Sequence, residues 1–286
     1  MVMRRTSPRK NNTADTSSIS KRIKPITSTD EAFAMCVYGR SGTGKTTFGA
    51  TFPMPALLLD IREKGTQSVA GIEGLDYIQI NEWEEIEQVY WFLKSGKHKY
   101  KTVILDQVSQ MQDLAMSKAM GGNEGGLMTK KTWGTMSGLM KTWLLNYREL
   151  IETGMNVCFI AQDRTTDPSD TDEGDQLEPT VGPRLMPSVA SFLNAAVSVI
   201  GNTMIRERFV DPPEGSKSKR KVRVVEYCMR IGPHASYVTK LRKRKELVSP
   251  DLIEDPSYDD IVALMKTPVT QSNPRRARVA RRTVKE

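Results

Sequence analysis

The stretch VYGRSGTGKTTFGATFP, residues 37–53, decides the fold. Gly39-Arg40-Ser41-Gly42-Thr43-Gly44-Lys45-Thr46 satisfies every fixed position of the phosphate-loop pattern G-x-x-x-x-G-K-[ST]. Glycines let the backbone curl until successive N–H groups face phosphate oxygens. Lys45 has the reach for the β and γ phosphates, and the Thr46 hydroxyl suits Mg²⁺. With Thr47, residues 39–47 form the candidate nucleotide-binding segment. The flanks agree. Phe33–Tyr38 is a short apolar run that suits a buried strand, and TTFGATF before Pro53 suits a short helix closed by prolines, its N-terminus toward the anion.

Outward from this loop, strands and helices alternate. Ala56-Leu-Leu-Leu-Asp60 and Tyr77–Ile80 read as apolar strands, and residues 83–94 carry Trp83, Ile86, Val89, Tyr90 and Leu93 at helical spacing. Thr102-Val-Ile-Leu-Asp106 is an apolar strand ending in a carboxylate, the pattern of an Mg²⁺-holding aspartate. Trp133–Thr153 reads as a long amphipathic helix, followed by the buried strand of Asn156–Asp163. The turn at Asp211-Pro-Pro-Glu-Gly215 separates strands near 203–210 and 221–231, with the basic run 217–223 at the hairpin tip. This order predicts an α/β fold, a mostly parallel sheet with helices on both faces, plus a C-terminal antiparallel hairpin. Gly39–Thr46, Asp60 or Glu63, Asp106 and Gln162 all fall at carboxyl ends of strands, where such sheets bind ligands.

Composition limits the rest. A chain of 286 residues with 38% hydrophobic content and no long apolar run describes a protein without a membrane span, expected in the cytoplasm. Cys36, Cys158 and Cys228 are widely spaced and suit reduced, buried thiols, and two histidines make a histidine-based metal centre a poor fit. The net charge of +8 sits at the ends. Residues 1–30 carry seven Lys/Arg against two Asp, and residues 267–286 carry six against one Glu, so each end contributes +5 and the remainder −2. Both ends read as disordered basic arms around a domain spanning 31–266, fit either to attract nucleic-acid phosphates or simply to keep the chain soluble. No N-K-x-D guanine motif occurs, which points to ATP.

The phosphate loop, LLLDIREKG, TVILD and FIAQD, in that order, resemble the RecA-type ATPase core. They resemble in particular the phage-encoded AAA-family nucleotide-binding proteins, which include core-only RecA-like single-strand annealing proteins. The likeness runs over about 33–266. It implies ATP and Mg²⁺ as ligands, with Thr46 and Asp106 holding the metal. It also implies a water-activating carboxylate at Glu63, although the spacing from Asp60 is a residue longer than D-x-E, leaving Asp60 as the substitute. Gln162 matches the γ-phosphate-sensing glutamine, and Lys240-Leu-Arg242 resembles the K-x-R pair that ring or filament ATPases insert into a neighbour's site, although within LRKRK it also reads as a basic surface strand. The implied partners are single-stranded DNA, a single-strand-binding protein and further copies of the chain. The implied role is DNA recombination, annealing or repair, in the host cytoplasm for a phage protein. One feature departs from the family: the segment after Gln162, a DNA-binding loop in recombinases, carries Asp167, Asp170, Asp172, Glu173, Asp175 and Glu178, and an acidic loop repels phosphate. Two other readings remain open here: a switch or loader that binds a protein partner, and a nucleotide-binding scaffold with little hydrolysis.

Overall fold

A computed structural model describes residues 32–121, 129–167, 179–211, 220–243 and 250–266. The two basic arms, the glycine-rich 122–128, the acidic 168–178 and residues 212–219 of the hairpin tip lie outside the described residues.

Six segments run parallel in one sheet: β1 (Ala34–Gly39), β2 (Ala56–Ile61), β3 (Leu75–Ile80), β4 (Thr102–Asp106), β5 (Asn156–Ala161) and β8 (Val199–Val210). Their order across the sheet is β3-β2-β4-β5-β1-β8. The strand that leads into Gln162 therefore lies between the phosphate-loop strand and the Asp106 strand. Beyond β8 the sheet turns antiparallel through β9 (Val222–Arg230) and β11 (Leu252–Glu254), and β10 (Lys240–Leu241) also pairs with β8. A separate two-stranded ribbon joins β6 (Asp163–Thr166) to β7 (Thr180–Pro183). The expected parallel sheet and antiparallel hairpin are both present.

Both faces of the central strands are apolar, so side chains that alternate along one strand enter two different cores. From β1, Ala34, Cys36 and Tyr38 join one cluster, and Met35 and Val37 join the other. The first face is covered by α2 (Trp83–Lys94), α3 (Val108–Ala119), α4 (Lys130–Glu149) and α5 (Pro187–Ala196), through residues such as Trp83, Met111, Met140 and Leu193. The opposite face is covered by α1 (Lys45–Gly49) and α6 (Tyr258–Lys266), where Phe33 stacks on Tyr258 and Phe52 packs edge-on to Phe48. All three cysteines are buried free thiols, and burial pushes the Cys36 thiol up to about 12.

Two of the expected helices differ from the sequence reading. The helix after the phosphate loop is only five residues long and stops before the prolines, because Thr51 turns back to bond the Phe48 carbonyl. The long helix starts three residues earlier than expected, at Lys130, capped by the Thr129 hydroxyl accepting from the Thr132 N–H. Its last turn, Leu150–Thr153, tightens to a 3₁₀ helix that ends at Gly154 with φ +86°. Helices α3 and α5, unforeseen in the sequence, complete the covered face. Among the described residues no helix is long and apolar enough to cross a membrane.

Candidate functional site

Because β1, β2 and β4 run parallel in one sheet, their carboxyl ends share an edge, and the candidate residues meet there. A cavity of about 530 Å³ opens along it, a volume in the range of small-ligand sites. It is lined by the phosphate loop from Ser41 to Thr47 and, among other residues, by Glu63, Asp106 and Gln107.

The loop's conformation follows from its glycines. Gly42 and Gly44 have φ of +78° and +82°, a region that costs a side-chain-bearing residue roughly 1 kcal/mol or more. Gly39 is required for a different reason: a Cβ there would stand 2.4 Å from the Thr203 hydroxyl and 2.5 Å from the Thr203 carbonyl oxygen. Strand β8 thus presses on the back of the loop. Thr203 shares a 2.7 Å hydrogen bond with Thr43, whose hydroxyl also lies 2.8 Å from the Arg40 carbonyl. The Lys45 ammonium donates to the carbonyls of Gly39 at 2.9 Å and Arg40 at 2.7 Å. Gly39 and Arg40 therefore brace Lys45 through their backbone and do not line the cavity.

Thr46 and Asp106 are in direct contact, the hydroxyl donating to the carboxylate at 2.6 Å. Burial raises the Asp106 carboxyl to about 6; Glu63 and Asp60 push the same way, and Thr46 and Lys45 oppose them. Lys45 is lowered, first by burial, against the pull of Asp106, Glu63 and Asp163. A buried carboxylate next to a second one and a hydroxyl is a hard oxygen set that a divalent cation would relieve, which fits Mg²⁺.

The raised Asp106 makes a pH prediction for the ligand-free protein. A carboxyl with a higher pKa folded than unfolded stabilises the fold below about pH 4 and loses that contribution as pH rises through about 6. The span from 3.8 to about 6 corresponds to about 3 kcal/mol at most. In EDTA, Asp106→Asn is expected to melt higher than wild type at pH 7.5 and to converge with it near pH 4. Parallel melting curves across that range would mean Asp106 is not held against its charge.

The turn after β2 places the two acidic candidates differently. Asp60 is buried, and its Oδ1 accepts from the backbone N–H groups of Glu63 at 3.0 Å and Lys64 at 2.8 Å. Arg62 and Lys64 take left-handed conformations, φ +58° and +54°, which absorb the residue that lengthens the D-x-E spacing. Asp60 therefore builds the turn, and Glu63 is the carboxylate the turn delivers to the cavity. There it accepts a hydrogen bond from the Gln107 amide.

Gln162 lies at the end of β5 but does not line this cavity. Its Oε1 accepts from Arg184 at 2.7 Å, and its backbone oxygen accepts from the Arg184 N–H at 2.7 Å. Lys240 and Arg242 lie elsewhere again. Both donate to the last carbonyls of α5, Lys240 to Asn194 and Ala195 and Arg242 to Ala195. Both side chains reach the same helix end, and within one chain they close its C-terminus.

Sequence reasoning missed part of the cavity's lining: Tyr227 and Cys228 from β9, and Asp255 and Pro256 from the turn after β11. The Tyr227 ring stands 3.4 Å from where a Cβ on Gly44 would be, and its carbonyl accepts from the Asp255 N–H at 2.8 Å. No local pattern marks these residues, because strand pairing alone brings them to the loop.

A family model described as AAA domain matches residues 31–242. The chain belongs to the AAA domain family. Membership and the phosphate loop together make it an AAA-type P-loop ATPase, a nucleotide-binding protein by family. Among solved structures, a flagellar accessory protein, FlaH, from Methanocaldococcus jannaschii aligns with a TM-score of 0.32 at 9% identity, over 69% of this chain and 76% of that one. A similarity so distant carries no inference about what this AAA domain does. A comparison with curated proteins returned no match.

Proposed function

We propose that this AAA domain hydrolyses ATP with Mg²⁺ and couples the reaction to single-stranded DNA, in recombination, annealing or repair. The observation that carries the hydrolysis is the convergence of Lys45, the Thr46–Asp106 pair and Glu63 around one cavity at the carboxyl edge of the sheet. In this reading the loop N–H groups of residues 41–47 hold the phosphates, and the base lies beside Tyr227 and Asp255. Thr46 and Asp106 would hold Mg²⁺, which neutralises phosphate charge when bound. Lys45 carries positive charge to the β and γ phosphates. Glu63 takes a proton from the attacking water.

The DNA part draws on two features. The basic ends each carry +5 and would track a phosphate backbone. A second cavity, lined by Trp133, Arg164, Arg184 and Gln112, lies beside Gln162 and combines an aromatic ring with cations, the ingredients of single-strand binding. Arg184 belongs to this cavity and also grips Gln162, so a strand bound there would reach the sensor glutamine through one side chain. The proposal includes assembly of several copies, in which Lys240 and Arg242 would leave the α5 carbonyls they hold within one chain to reach a neighbour's site.

The test measures hydrolysis with and without Mg²⁺ and single-stranded DNA, alongside mobility shifts. DNA is expected to bind in a salt-dependent way and to change the rate. Deleting 267–286 is expected to flatten the log–log salt slope by about 0.7 for each phosphate that the arm had neutralised, with basal hydrolysis intact. Hydrolysis that ignores DNA, with no shift at low salt, would remove the DNA reading and leave an ATPase that acts on a protein partner. No hydrolysis with any nucleotide would remove the ATPase reading itself.

A further inference from the structure

Gln107 follows Asp106 and is 1% exposed. Its Nε2 donates to a Glu63 carboxylate oxygen, while its Oε1 is buried with no hydrogen-bond partner among the described residues. The orientation of the amide is not arbitrary. An ionised carboxylate only accepts, so the nitrogen must face Glu63 and the oxygen must face away. A buried carbonyl oxygen left unpaired costs on the order of 1–3 kcal/mol, and a fold keeps such a deficit where a ligand supplies the missing donor.

The chemistry at this end of the cavity restricts that donor. Phosphate oxygens accept, as do the carboxylates of Asp106 and Glu63. The Lys45 ammonium spends two of its three N–H groups on the carbonyls of Gly39 and Arg40, and the third is the one left for the phosphates. A water molecule is a donor whose two hydrogens match two acceptors, Glu63 and the Gln107 oxygen.

We propose that Gln107 is the positioning residue for hydrolysis, orienting Glu63 through its amide nitrogen and the nucleophilic water through its amide oxygen. The inference rests on the ATPase reading above. With both hydrogens held, the water presents a lone pair to the γ phosphorus. The water oxygen–phosphorus bond forms as the bond from that phosphorus to the β,γ-bridging oxygen breaks. The electron pair leaves on ADP, Glu63 takes one water proton, and inorganic phosphate is released. Gln107 forms no covalent bond in this step and acts only through hydrogen bonds. Gln107 lies between Asp106 and α3, which starts at Val108; its backbone is extended at φ −133° and ψ 151°, and it lines the cavity.

Gln107→Glu keeps the shape and replaces the donor with an acceptor, and Gln107→Met keeps the length and removes both polar atoms. Each is to be measured for steady-state hydrolysis of ATP, for affinity toward a fluorescent ATP analogue in EDTA, and for melting temperature. The expected result for both is a kcat lower by about 10²-fold, with KM and analogue affinity within about threefold of wild type. Gln107→Met removes the unpaired oxygen and the bond to Glu63 together, so its melting temperature should stay close to that of wild type. Gln107→Asn, which keeps the amide on a shorter stem, should recover part of the lost kcat relative to Gln107→Met. A kcat unchanged in both Gln107→Glu and Gln107→Met overturns the proposal, as does a loss that follows nucleotide affinity and melting temperature together. Wild-type protein that binds the analogue but does not hydrolyse ATP overturns the ATPase reading instead.

Discussion

Lys45→Ala is expected to lower kcat by about 10²-fold or more and to weaken nucleotide binding by roughly ten- to a hundredfold. The second figure corresponds to about 1.5–3 kcal/mol for a hydrogen bond to a charged group. Lys45 is the cation of the phosphate-loop wall, and no other ammonium or guanidinium lines the cavity among the described residues. Its bonds to the Gly39 and Arg40 carbonyls hold the ammonium over the loop before any nucleotide arrives, which lowers the ordering cost of binding. Lys45→Met separates charge from packing. It keeps most of the stem, so its melting temperature should exceed that of Lys45→Ala while its kinetic loss matches. Either variant turning over ATP at the wild-type rate would falsify the proposed site.

Glu63→Gln is the second large effect: a kcat lower by about 10²- to 10⁴-fold, with KM and stability close to wild type, as expected on removal of a general base. Asp60→Asn provides the contrast. Asp60 is buried and anchors two backbone N–H groups, so losing its charge should destabilise the fold by on the order of 2 kcal/mol. Its kinetic loss should come with that destabilisation, because the turn that presents Glu63 loosens. The reverse pattern, Asp60→Asn fully stable yet inactive and Glu63→Gln active, would make Asp60 the base.

Much of this site was legible in the sequence because its parts are local. The phosphate loop encodes its own conformation in Gly42 and Gly44, and TVILD marks a buried strand with a carboxylate at its end, Thr102–Asp106 as observed. The choice between Asp60 and Glu63 was not legible. It depends on left-handed backbone at Arg62 and Lys64, two residue types that give no sign of that conformation. Gln107 carried no signal either, since its importance lies in a contact with a residue 44 positions away.

The sequence by itself determined the alternation of elements, the two-sided core and the edge of the sheet where the candidate site forms. Each is written in a period of hydrophobic residues or in a glycine pattern that only one backbone geometry satisfies. Tertiary structure alone decided what surrounds that loop. Strand order placed β5 between β1 and β4, pairing with β8 set Thr203 behind Gly39, and the antiparallel return of β9 brought Tyr227 to Gly44. It also sent Lys240 and Arg242 to the end of α5 within their own chain. The physical reason is one of range. Backbone conformation and burial periodicity act over a few residues, while strand pairing joins residues more than a hundred apart and leaves no mark in either partner's neighbourhood.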